Sequence, residues 1–106
     1  MPKYLIQGSY TAEAVEGVRT RGGSSRRDAV AETIRSLGGQ MESFYFAFGD
    51  QDAYVIADLP DNAAAAAFAL AVNAVGSVAT KTVVLLTAEE VDEAAKRSVE
   101  YRPPGR

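Results

Sequence analysis

A chain of 106 residues with 47% apolar and 24% charged residues is one ordinary globular domain, large enough for a core and too small for two. It contains neither cysteine nor histidine, which removes disulfides, thiolate nucleophiles, zinc–thiolate sites, Ser-His-Asp triads, His-ligated metals and the usual near-neutral general base. A formal net charge of -3 argues against nucleic acid as the main partner. The lack of a long apolar run or a leader-like segment leads to the expectation of a cytoplasmic protein with no membrane partner.

Lys3 to Tyr10 reads as a strand, with Tyr4, Ile6, Gly8 and Tyr10 on one face and Leu5, Gln7 and Ser9 on the other. Thr11 can N-cap a short helical turn through Val18. After the Gly22-Gly23 break, a helix is expected from Ser24-Ser25, with Ser25 and Asp28 spaced as a capping box. Its buried stripe is Val30, Ile34 and Leu37, and Gly38-Gly39 ends it.

Gln40 to Phe48 and Ala53 to Leu59 are expected to form a hairpin around Gly49-Asp50-Gln51-Asp52, with Pro60 closing the second strand. Asp61 caps a helix from Asn62 to Val75 in which only the two asparagines are polar. A helix apolar nearly all round must be covered on more than its sheet-facing side, by a partner subunit or by the C-terminal segment. Gly76 ends it, and Ser77 to Leu86 is a fourth strand. Thr87-Ala-Glu-Glu90 opens a last helix to about Ser98, and residues 101–106 read as a disordered tail after a single domain over 1–100.

This order gives an α+β fold of the ferredoxin-like β-α-β-β-α-β plan: a four-stranded antiparallel sheet, helices on one face, and a short C-terminal helix. The other sheet face is left bare. Phe44, Phe46 and Phe48 point to one side of the second strand and Tyr45 to the other, so a homodimer or higher oligomer is expected, packed sheet to sheet or edge to edge.

Three groups of residues carry candidate chemistry. The stretch Arg19 to Arg27 holds four arginines and no acid. It leads into a helix N-terminus, so Ser24, Ser25, Arg26 and Arg27 could bind a phosphate or carboxylate; the plain alternative is a cap with solvated arginines. Asp50, Asp52, Asp58 and Asp61 lack the spacing of a calcium loop and read as turn and cap residues, so no metal is expected. Gln7, Ser9, Tyr45, Tyr54, Asn73, Lys81 and Thr82 place polar tips at the edge of an apolar interior, the lining of a small-molecule pocket. In the plain alternative the tyrosines are packing residues, Lys81 is solvated and Asn73 bonds a backbone group. Lys81, Tyr45 and Tyr54 are the only plausible proton-transfer groups of this set, and each needs a lowered pKa to act as a base at neutral pH.

The segments Tyr4-Leu-Ile-Gln-Gly-Ser-Tyr-Thr, Gly22-Gly-Ser-Ser-Arg-Arg, Ser36-Leu-Gly-Gly, Glu42-Ser-Phe-Tyr-Phe-Ala-Phe-Gly-Asp, Asp52-Ala-Tyr-Val-Ile-Ala-Asp-Leu-Pro-Asp and Ala71-Val-Asn-Ala closely resemble the GYD-domain family, over about residues 3 to 93. The resemblance implies a small bacterial protein with a ferredoxin-like fold of the dimeric α/β-barrel type and no assigned biochemical role. One position departs from the family pattern: Gln51 stands where the tyrosine of the Gly-Tyr-Asp element is expected. Any chemistry of that hydroxyl in relatives would be missing here, and the element reads as mainly structural.

Two functions compete on these grounds. The first is an oligomeric small-molecule-binding or regulatory module for a small organic or anionic ligand. The second is a cofactor-independent enzyme, monooxygenase- or isomerase-like by fold analogy with dimeric α/β-barrel proteins. Neither calls for a bound cofactor. RNA binding through a sheet is disfavoured, because the basic residues are not interleaved with the strand aromatics.

Overall fold

A computed structural model describes residues 1–105. The elements follow in the order β1 (Lys3–Tyr10), α1 (Ala12–Arg21), α2 (Gly23–Ser36), β2 (Gln40–Phe46), β3 (Ala53–Asp58), α3 (Asn62–Val75), β4 (Val78–Leu85) and α4 (Ala88–Ala95). The strands form one sheet in the order β2-β3-β1-β4, and each neighbouring pair is antiparallel. This is the ferredoxin-like plan, with an additional helix inserted after β1.

The core lies between the sheet and α2 and α3. Tyr4 and Ile6 of β1 and Val55 and Ala57 of β3 meet Val30 and Ile34 of α2 and Ala65 and Phe68 of α3, with Leu59 beside them. Ile34 and Leu59 are fully buried, and each such side chain contributes about 1.5–3 kcal/mol. Tyr4 is only 1% exposed. Its hydroxyl donates to Asn62 Oδ1 at 2.6 Å, which keeps the buried phenol satisfied and ties β1 to the start of α3.

Several boundaries differ from the sequence expectation. The helical turn after Thr11 runs to Arg21, and the next helix starts at Gly23, so the Ser25–Asp28 capping box does not form. Gly22, at φ 89°, ψ 158°, supplies the break between the two helices. Gly23 then enters α2 directly against a ring: a Cβ there would lie 2.9 Å from Phe46 Cε2. Ser25 therefore falls within the first turn, and Asp28 accepts a hydrogen bond from Arg27 Nε at 3.1 Å.

Strand β2 stops at Phe46 because Phe48 takes φ 55°, and Ala47 N–H closes the hairpin on Asp52 O at 2.9 Å. A register shift between Met41 and Ser43 puts an extra residue in β2, so that Met41 and Phe44 both pack against the core. Strand β3 ends at Asp58 and β4 spans Val78–Leu85, each slightly shorter than expected.

Helix α3 has the expected Asp61 cap and left-handed Gly76. Its outer side is bare, with Leu70 73% and Val75 77% exposed, so the C-terminal segment does not cover it. That segment points away instead. The Thr87–Glu90 capping box forms, yet α4 ends at Ala95 rather than near Ser98 and all its residues are exposed. The radius of gyration is 16.8 Å, against about 13 Å for a compact chain of this length. Residues 101–105 contain no helix or strand, and Arg106, the end of the expected tail, lies outside the described residues.

Candidate functional site

Because Tyr4, Ile6, Val55 and Ala57 face the helices, their strand neighbours Leu5, Gln7, Tyr54 and Ile56 face the opposite side of the sheet. The registers align Tyr45 with Tyr54, Tyr54 with Gln7 and Gln7 with Lys81. Four sequence-expected site residues on four strands thus form one cross-strand row on the open face. The adjacent row is Ser43, Ile56, Leu5 and Val83, which is mostly apolar. Beyond it, Lys3 Nζ donates to Glu42 Oε1 at 2.7 Å and Asp58 Oδ1 at 2.9 Å. The bond to Glu42, then that to Asp58, raises the Lys3 pKa above its ordinary value.

Asn73 is separate from this row. Its amide donates to Thr80 Oγ1 at 3.0 Å and accepts from Thr80 N–H at 2.8 Å, fastening the end of α3 to β4. Three of the four aspartates have separate roles, and Asp50 is exposed at the turn. Asp52 accepts from Tyr10 N–H at 2.7 Å, Asp58 pairs with Lys3, and Asp61 caps α3. Among the described residues no three acidic side chains form a metal-binding group.

On the helix side, a cleft of about 710 Å³ opens between α1, the first turns of α2 and the C-terminal half of α3. That volume is within the range of small-molecule sites. Val18, Ala29, Val72, Val75 and Val78 supply apolar wall, while the exposed Glu13, Glu16 and Arg21 bring both signs of charge. A recess of about 30 Å³ shares Tyr10, Arg26, Val72 and Val78 with the cleft and reaches Ile6, Gly8 and Phe68.

Among the described residues, Arg26 is the only charged one lining that recess. It is half-buried and makes no ion pair or side-chain hydrogen bond among the described residues, whereas Arg19 and Arg27 both have acidic neighbours. A guanidinium without a counter-charge favours an anion. Ser25 also lines the cleft, while Ser24 and Arg27 do not. The N-terminus of α2 meets the C-terminus of α1 at Gly22, so the two dipole ends offset each other there.

The basic motif alone gave no sign of Tyr10, Val72 and the α1 residues as lining, because the cleft exists only once α1 and α3 stand on either side of α2's first turns. The one available signal was Tyr10, the last inward-facing residue of β1. Asp52 holds it in place through two bonds, accepting from Tyr10 N–H and donating its own N–H to Gly8 O at 2.8 Å. The hairpin turn is thereby clamped to the end of β1. Gln51, beside it, buries its side-chain Oε1 without a hydrogen-bond partner among the described residues.

The family model for the GYD domain matches residues 4–95. No curated protein and no solved structure matches the chain.

Proposed function

The chain belongs to the GYD domain family, and from that premise we propose that it is a bacterial, cytoplasmic, oligomeric module that binds or senses a small molecule in the cleft between α1–α2 and α3. The observation that carries this reading is Arg26: a half-buried cation without an acidic partner among the described residues, set in an apolar-walled cleft of ligand size.

Self-association belongs to the same proposal. The open sheet face carries the Ile56, Leu5 and Val83 row, and α3 exposes Leu70 and Val75 on another side. Two incompletely covered apolar surfaces on one small body favour burial against a second copy. The row of Tyr45, Tyr54, Gln7 and Lys81 would then lie between subunits and supply polar contacts there. Among the described residues, no helix is long and apolar enough to cross a membrane.

A thermal-shift screen with small metabolites tests the cleft. Bound ligand at a hundredfold excess over Kd adds about 2.7 kcal/mol to stability. A hit should lose its effect in Ala71→Trp, since Ala71 lines the cleft and is exposed enough for the ring to block it without disturbing the core. Hits unaffected by the block would move the site elsewhere. Consumption of a hit, with turnover lost in the blocked variant, would favour the cofactor-independent enzyme over the binding module.

A further inference from the structure

The cleft's distribution of charge specifies more than the presence of a ligand. Resting on the preceding reading, we infer that it takes an amphipathic monoanion: one carboxylate-like head on Arg26, with an aliphatic body along the valine-rich wall. Arg26 borders both the open cleft and the recess, and every other recess-lining side chain is uncharged. An anion placed there meets a guanidinium whose planar fork matches a carboxylate.

The remainder of the site limits the ligand's charge and polarity. Glu13 and Glu16 line the same cleft, so a second or third negative charge would face carboxylates as well as Arg21. Nucleotides and other polyanions are disfavoured on that ground. Val18, Val72, Val75 and Val78 present an aliphatic surface, with the hydroxyls of Thr20, Thr33 and Ser77 elsewhere in the lining. An alkyl chain buries that surface at about 25 cal/mol per Å². Tyr10 lines both spaces and brings a phenol to the head-group end.

Four probes separate the components: octanoate, octan-1-ol, octylamine and inorganic phosphate, titrated into the full-length protein by calorimetry with backbone amide shifts recorded in parallel. Octanoate is expected to saturate, to shift the amides of Ser25, Arg26 and Val72, and to bind at least about tenfold more tightly than any other probe. Arg26→Gln should reduce octanoate binding about tenfold and leave octan-1-ol unchanged. Because the four-probe comparison uses the unmodified chain, a poorly folded variant would not obscure the answer.

Equal affinity for octanoate and octan-1-ol would overturn the anionic head and leave the cleft reading intact. Phosphate binding as tightly as octanoate would overturn the aliphatic body. If no probe shifts a cleft amide, the inferred ligand class is wrong. The cleft reading itself fails only if screened ligands also ignore the Ala71→Trp block.

Discussion

At Gln51 a polar side chain occupies a position where its oxygen is buried and, among the described residues, unpaired. A lost solvation shell of this kind costs about 1–3 kcal/mol. Gln51→Met keeps the length and removes the polar atoms, so its urea midpoint should equal or exceed that of the parent. A loss above about 1 kcal/mol would mean that the oxygen has a partner, such as an ordered water. The sequence made Gln51 conspicuous only as a departure from the family element. Its neighbour Asp52 carries the structural role, bonding across the turn to β1, a contact between residues far apart in sequence that local turn chemistry does not reveal. Arg26 shows the same limit: its residue type suggested an anion, but its half-burial depends on helices contributed by both halves of the fold.

Among the elements, joints between helices and strands carry the tightest constraints. Where α2 meets β2, a Cβ on Gly39 would collide with the Asp58 carbonyl oxygen and come within 2.7 Å of Leu59 Cδ2. Gly39→Ala must push β2 away from β3 or displace a fully buried leucine, and should cost roughly 2–4 kcal/mol in chemical denaturation. A change below about 0.5 kcal/mol would show that the joint is loose. Strand and helix identities were legible because periodicity and caps are local: Thr11, Asp61 and Thr87 each cap the helix expected of them. The break fell at Gly22 as expected, and the start of α2 differed. Gly23, the first residue of α2, packs against Phe46 of β2, a contact between residues far apart in sequence.

For the whole molecule, the alternation of β1 and β2 and the fold plan already distinguished a covered face from an open one, and the structure adds the cross-strand rows. It also leaves α3 half bare and carries α4 away from the body. Neither fact follows from periodicity, because what lies against an apolar helix is decided by the path of the chain after β4. Native mass spectrometry of the protein isolated from its host cells, beside Ile56→Lys and Ala71→Trp, tests the account most directly. The parent is expected to be an oligomer carrying a discrete small-molecule mass, with Ile56→Lys shifted toward monomer and Ala71→Trp losing the added mass. A parent protein that is monomeric, with the bare polypeptide mass, would contradict it.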